Sequence, residues 1–374
     1  MQIIRNVQQE IDNHFFKGKA IILFGARQTG KSTIVEMILQ KRTEPILRLN
    51  GDDSDVREML KNPNVQMLKN IIGENKILFI DEAQSIENIG TAIKIIVDRI
   101  PDVQVVATGS SSFELANKTN EPLTGRKYEF LLFPLSFSEN SKYFGFLDEK
   151  RMLENRLVFG SYPEIVSKPN EAEKHLRLLA NSYLYKDILM LSDIKKPVLV
   201  DKILKALALQ VGNEVSYNEV AQIVGADKET VEKYIDILEK AFIVFRLPAL
   251  SGNIRNELKK SRKIYFYDNG IRNSIIGNYN SINTRTDIGV LWENFMVSEL
   301  YKRNIYNNLH RVHYFWRTTS QQEVDYIEMD GDSYYAYEFK WNPKAKAKIP
   351  LTFSKNYAVK QSFVVTPSNY SELL

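Results

Sequence analysis

Over roughly the first 140 residues, short and nearly continuous apolar runs alternate with stretches whose apolar residues recur every three to four positions. The runs at residues 20–24, 45–50, 77–80 and 103–108 predict strands buried on both faces, as in a parallel sheet. Strand–helix alternation of this kind predicts an α/β sandwich. From about residue 144 to 195 the pattern is helical, broken at Gly160-Ser161-Tyr162-Pro163. From Pro197 to Leu247 it resembles a winged helix. Ser216 and Glu219 have the spacing of a capping box, Gly225 makes a turn, and Asp227 caps a helix. That helix places Val231, Tyr234, Ile235 and Leu238 at i, i+3, i+4 and i+7, and residues 242–247 then predict a strand. Further on, a helix at 288–302 precedes strands at 312–317, 323–329 and 333–340, with a last strand at 362–366.

The first predicted strand runs into Gly25-Ala26-Arg27-Gln28-Thr29-Gly30-Lys31-Ser32-Thr33, and an apolar-faced helix carrying Ile34, Met37 and Ile38 follows. Glycines at this spacing let backbone amides face phosphate oxygens. Lys31 is then expected to reach the β- and γ-phosphates of ATP, and the Ser32 hydroxyl to ligate Mg²⁺. The strand at 77–80 ends in Asp81-Glu82. Carboxylates at the carboxyl edge of such a sheet meet its ligand, so Asp81 is the candidate metal carboxylate and Glu82 the residue that orients the attacking water. Thr108 and Ser110, at the end of another strand, are candidate γ-phosphate sensors. Arg126 is a candidate charge stabiliser, acting in cis or on a neighbouring subunit of a homo-oligomer.

These segments, with Phe79-Ile80-Asp81-Glu82-Ala83-Gln84, Thr108-Gly109-Ser110-Ser111-Ser112, Leu123-Thr124-Gly125-Arg126 and Pro134-Leu135-Ser136-Phe137, resemble the prokaryotic AAA-type ATPases that carry a C-terminal domain of unknown function 4143. Gly160-Ser161-Tyr162-Pro163-Glu164, Tyr265-Phe266-Tyr267-Asp268-Asn269-Gly270, Asp287-Ile288-Gly289 and Glu293-Asn294-Phe295 extend the likeness over nearly the whole chain. One departure is Ser161, where the family more often has a second glycine. The resemblance implies ATP binding, ATP hydrolysis and a nuclease-like C-terminal fold. The expected fold class is therefore an AAA+-like P-loop NTPase parallel sheet sandwich, then a helical and winged-helix region, then a small α/β restriction-endonuclease-like domain. The expected boundaries are 1–143 for the ATPase, 144–196 for a helical lid or linker, 197–255 for the winged helix and 256–374 for the nuclease-like part.

Length changes this picture little: 374 residues are too many for one core. No apolar run reaches the roughly 18–20 residues that span a bilayer, and the N-terminus lacks a secretory signal, so a cytoplasmic protein is expected. With no cysteine, disulfides, zinc–thiolate sites and thiol nucleophiles are excluded. Charge adds more. Residues 251–374 hold 17 Lys+Arg against 12 Asp+Glu. The surplus is densest at Arg255, Lys259, Lys260, Arg262 and Lys263, a cluster suited to DNA phosphates or to a solvated loop. The helix at 227–240 carries five acids against three lysines, which opposes insertion beside phosphates and favours a packing or coupling role.

Glu338 and Lys340 share one face of a strand. A turn centred between Gly331 and Asp332 puts Asp325 opposite Glu338 and Glu323 opposite Lys340. Facing carboxylates repel, so a second Mg²⁺ or Mn²⁺ is expected between Asp325 and Glu338, with Glu293 completing the site. Glu293, Asp325, Glu338 and Lys340 together are similar to the PD-(D/E)xK nucleases. Three functions follow as alternatives: an ATPase that moves its C-terminal domains, an ATP-gated metal-dependent DNA nuclease, and a non-hydrolysing nucleotide switch that scaffolds partners.

Overall fold

Every residue of β1 (Ala20–Gly25) is buried, and so is every residue of β4 (Gln104–Gly109). β3 (Ile77–Asp81) is buried but for its last residue. These three are the apolar runs that read most clearly from the sequence. They form the centre of a five-stranded parallel sheet of order β2-β3-β4-β1-β5, with β2 (Ile46–Asn50) and β5 (Lys127–Leu132) at its edges. The pattern did not predict β5, because an edge strand is half-exposed and Lys127 and Glu129 interrupt its apolar residues. Helices Lys31–Leu39 and Ile89–Arg99 cross between strands. Ile22, Ile80, Ala107, Ile93 and Ile96 pack in one core; each large aliphatic side chain buried there is worth about 1.5–3 kcal/mol.

The computed structural model describes residues 2–110, 123–180, 196–250, 262–345 and 347–374. Arg255, Lys259 and Lys260 of the basic cluster, and Ser111 and Ser112, lie outside the described residues, as does the expected boundary at 255/256. The chain divides into two units: Met1–Pro134 with Lys240–Phe242 in the first, and most of Leu135–Leu374 in the second.

The second unit begins with short helices. Helix Phe137–Phe144 starts at a capping box in which Ser136 accepts from the Glu139 amide and Glu139 accepts from the Ser136 amide. Helices Leu153–Phe159 and Pro163–Ser167 flank the predicted break. Helix Pro197–Leu209, β6 (Glu214–Val215), helices Tyr217–Val224 and Lys228–Lys240, β7 (Val244–Pro248) and β8 (Arg262–Phe266) follow, the strands pairing antiparallel in the order β6-β8-β7. Ser216 accepts from the Glu219 amide at 3.4 Å, the N-cap half of the predicted capping box, and Asp227 accepts from the Thr230 amide at 2.7 Å. Helix Ile288–Tyr306 then precedes β9 (Val312–Arg317), β10 (Glu323–Asp330), β11 (Ser333–Phe339) and β12 (Val359–Val365), in sheet order β12-β11-β10-β9. The β10–β11 register runs from Asp330↔Ser333 to Tyr326↔Tyr337. That is the register of the predicted turn, and the pairing stops one step short of Asp325 and Glu338.

The recurrent motifs of this unit turn out to be its scaffold. The buried Asp268 carboxylate accepts from the Ser161 amide at 2.7 Å and the Ile271 amide at 3.2 Å. Asn294 bonds the Phe266 amide (2.8 Å) and carbonyl (3.1 Å) as well as the Asn269 side chain (2.6 Å). Arg272 and Arg285 both grip Asp287. Buried polar groups that are satisfied in this way fix chain positions and are costly to break.

Candidate functional sites

The strand order places β4 between β1 and β3, so three strand ends converge at the carboxyl edge of the first sheet. Leu23 pairs with Thr108 and Ile80 with Ala107. The Thr108 hydroxyl donates to Asp81 Oδ1, and the Glu82 amide donates to Thr108 Oγ1 at 3.3 Å. Ser32 Oγ, from the first turn of helix Lys31–Leu39, donates to the same Asp81 oxygen at 2.8 Å. Ser110 is buried at the end of β4.

Between β1 and this helix the backbone folds into a tight loop. Gly30 caps the helix with φ 94° and ψ 27°, a left-handed conformation that suits glycine. A Cβ on Gly25 would lie 2.1 Å from the Leu132 carbonyl oxygen, so β5 closes the loop against any side chain there. Lys31 is buried, with Nζ donating to the carbonyls of Gly25 and Ala26 at 2.9 Å each. Thr29 is fully buried and donates to the Ala26 carbonyl. The donor set fits a nucleoside triphosphate: helix-end amides, the Lys31 ammonium, and a hydroxyl–carboxylate pair suited to Mg²⁺.

Glu82 adopts φ 47° and ψ 43°. For a residue other than glycine this costs about 1–3 kcal/mol, and such strain concentrates at functional sites. Gln84 Nε2 donates to Glu82 Oε2, fixing the carboxylate. Sequence reasoning missed this grip, and it missed Arg5 altogether. The Arg5 guanidinium is buried and donates to the carbonyls of Thr29 (2.7 Å) and Phe133 (2.6 Å), tying the loop to the chain just beyond β5. A single arginine twenty residues upstream leaves no pattern to find it by.

Arg126 lies elsewhere in the first unit. Its carbonyl accepts from the Ala20 amide, so it lies at the amino edge of the sheet, where β1 begins. Five residues of strand, about 17 Å, separate that edge from the loop. Its guanidinium pairs with Asp98 at 2.7 Å. This placement sets it apart from Lys31, Ser32, Asp81 and Glu82.

In the second unit Glu293, Asp325, Glu338 and Lys340 do come together, but with different partners from those expected. Lys340 Nζ lies 2.6 Å from Glu338 and 4.0 Å from Asp325. Lys263, expected on a basic surface, is buried instead and lies 3.2 Å from Glu293 and 2.5 Å from Glu323. Tyr265 donates its hydroxyl to Glu293 at 2.6 Å. Burial, helped by Glu293 and Glu338, pushes the Asp325 carboxyl up to about 8; burial also raises Glu338. Among the described residues no group of three or more His, Asp or Glu side chains is arranged to hold a metal ion. A second Mg²⁺ or Mn²⁺ is thus without support among the described residues. The missed signal is the alternation in Arg262-Lys263-Ile264-Tyr265-Phe266, which puts Lys263 on the face of the buried Tyr265.

A five-stranded parallel sheet whose glycine loop, Lys31, Ser32 and Asp81 converge at one edge defines a P-loop NTPase fold. Residues 17–141 match the model of an AAA domain, residues 150–281 a domain of unknown function (DUF8612), and residues 288–373 a domain of unknown function (DUF4143). The AAA domain and the C-terminal domain of unknown function 4143 that the motifs implied are thus both found. An uncharacterized protein of Mycobacterium tuberculosis is 24% identical over 343 residues, covering 90% of this chain and 73% of the relative. One from Methanocaldococcus jannaschii is 23% identical, covering 86% and 74%. Among solved structures, Cdc6p from Pyrobaculum aerophilum aligns at 12% identity over 73% of this chain and 92% of its own, with a TM-score of 0.31. No described helix is long and apolar enough to cross a membrane.

Proposed function

We propose that the first unit binds ATP with Mg²⁺ and hydrolyses it, and that turnover repositions the second unit. The observation that carries this is the convergence of Ser32 and Thr108 on one oxygen of Asp81 beside Lys31. Bound Mg²⁺–ATP would supply a metal-polarised γ-phosphoryl group. Lys31, now on the Gly25 and Ala26 carbonyls, would offer its ammonium to the β- and γ-phosphates. Backbone amides of residues 26–33 would face the phosphates. Ser32 and Asp81, now bonded to each other, would hold the metal. Glu82, held by Gln84 on its strained backbone, orients water. Thr108 links the Asp81 carboxylate to the Glu82 amide and so couples the metal side of the site to the water side.

The order helix, strand, helix, helix, strand over the described residues 197–250 supports reading residues 197–255 as a winged helix. Asp236 and Glu239 of its helix Lys228–Lys240 both pair with Arg246 on β7. That use of its acids supports a packing role for the helix. DNA is the proposed partner of the basic segment around Arg262. The test is ATP turnover beside nucleotide binding for wild type and Glu82→Gln. Expected are equal affinity and a loss in rate of about 100-fold or more for the variant. Tight binding with no wild-type turnover would leave the non-hydrolysing switch as the better reading.

A further inference from the structure

Lys263 sits on β8, the central strand of its three-stranded sheet, and its side chain is only 1% exposed. Burying an unpaired ammonium is prohibitive, so its partners must account for it. They are Glu293 Oε1 at 3.2 Å, from helix Ile288–Tyr306, and Glu323 Oε1 at 2.5 Å, from the start of β10. The Phe315 ring lies 5.4 Å away. Tyr265, two residues along the same face, donates to the same Glu293 oxygen. Arg317 Nε approaches the other Glu323 oxygen at 3.9 Å. Asp325 and Glu338 complete the cluster, with Lys340 on Glu338.

Four carboxyl groups thus gather about two ammonium groups, with Asp325 and Lys263 buried and the others partly so. Facing carboxylates demand a positive charge between them, and a divalent cation or a lysine can supply it. The two are exclusive. A charged lysine has no lone pair to offer a metal, and two ammonium groups at hydrogen-bond distance from the would-be ligands repel a divalent ion strongly where water is scarce. Lys340 is partly exposed and able to swing away. Lys263 is enclosed on a central strand, with both neighbours paired, Glu214 on one side and Leu247 on the other.

We infer that Lys263 is the built-in cation of this cluster: its ammonium takes the place of a divalent metal between Glu293 and Glu323, which makes the C-terminal carboxylates a charge-locked site that excludes metal. Glu293, Glu323, Asp325 and Glu338 are thereby closed to metal-dependent hydrolysis. The inference concerns a different unit from the nucleotide site and stands whether or not ATP is hydrolysed.

The test uses the full chain without nucleotide, titrated with Mn²⁺ and followed by the paramagnetic signal of the free ion. Wild type and Asp325→Asn should give the same isotherm, since any Mn²⁺ at Ser32 and Asp81 is common to both. Lys263→Met should gain one site, and Lys263→Met with Asp325→Asn should lose it again. A wild-type site that Asp325→Asn weakens tenfold would overturn the inference, and so would a folded Lys263→Met that gains none. Melting provides a second measurement should Lys263→Met fold poorly. Removing one partner of a buried ion pair is expected to lower Tm by about 10 °C. Adding Glu323→Gln should return part of that loss, because the stranded charge goes with it. Losses that merely add between the two variants would show that Lys263 and Glu323 are uncoupled, against the inference.

Discussion

Each unit has a buried lysine at its candidate site, and the two differ in what holds them. Lys31 rests on two neutral carbonyls at 2.9 Å. Lys263 lies between two carboxylates and is enclosed by sheet. A carbonyl acceptor releases an ammonium to a phosphate at little cost, because phosphate is the stronger partner. A buried carboxylate does not, because release strands a charge. The first lysine keeps neutral carbonyls among its partners. The second has its counter-charges already and leaves none for a ligand.

The sharpest way to break this contrast is to remove each lysine and read both affinity and stability. Lys31→Ala should weaken ATP binding by about 100-fold or more while moving Tm by no more than about 2 °C. Lys263→Ala should do the reverse, lowering Tm by about 10 °C and leaving nucleotide affinity unchanged. Equal melting losses in the two variants would erase the distinction.

A second expectation, somewhat smaller, concerns acid. His313 on β9 bonds the Tyr326 hydroxyl at 2.6 Å. Burial lowers its imidazole to about 4; Glu328 opposes the shift, and Arg303 and Arg311 add to it. Its folded value lies below the unfolded value of about 6.5, so the stability it contributes is complete above pH ~6.5 and is lost as pH falls towards 4. The loss should approach about 3 kcal/mol across that window. His313→Gln keeps an acceptor for Tyr326 and removes the titration. Its unfolding free energy should be flatter than that of wild type between pH 6.5 and 4, as followed by urea melts. Parallel pH profiles would show that His313 titrates normally.

The contrast between the units also explains what could be read from the chain. β1, β3 and β4 were legible because strands buried on both faces have no choice but to be apolar. β5 and β12 were blurred because half-exposed strands tolerate Lys127 and Glu129, or Lys360 and Gln361. The nucleotide loop was legible because its residues are consecutive. The C-terminal cluster was half legible: the hairpin register follows from one turn, so Asp325 and Glu338 could be matched. Lys263 and Tyr265 come from a strand some sixty residues away, and only the folded chain brings them to the same place. Arg5 was invisible for the same reason, since its partners are backbone carbonyls and carbonyls carry no sequence signature.

Arg5 offers a test within the first unit. Arg5→Ala removes two charge-assisted bonds to the Thr29 and Phe133 carbonyls and should loosen the loop without touching phosphate. ATP affinity should fall about tenfold, with the rate at saturation kept within about twofold. Arg5→Lys, which cannot fork to both carbonyls, should recover only part of the affinity. A fall in rate at saturation with affinity intact would place Arg5 among the groups that meet the reacting phosphate.

The smallest expected effect belongs to Arg126, and its value lies in being small. Its guanidinium bonds Asp98 on helix Ile89–Arg99, and both side chains are about one-third exposed. The Asp98 carboxyl is held below its usual range by that hydrogen bond, but exposed pairs of this kind contribute little to stability. Nothing in its placement brings it to the carboxyl edge where Lys31, Ser32, Asp81 and Glu82 meet. Arg126→Ala should therefore leave turnover within about twofold of wild type in dilute protein and Tm unchanged. Raising protein concentration separates the remaining possibility, because an arginine that serves a neighbouring subunit acts only when subunits meet. Turnover per chain that rises with concentration in wild type and stays flat in Arg126→Ala would give Arg126 a role in trans. Identical flat profiles would leave it as one half of a surface ion pair at the amino edge of the sheet.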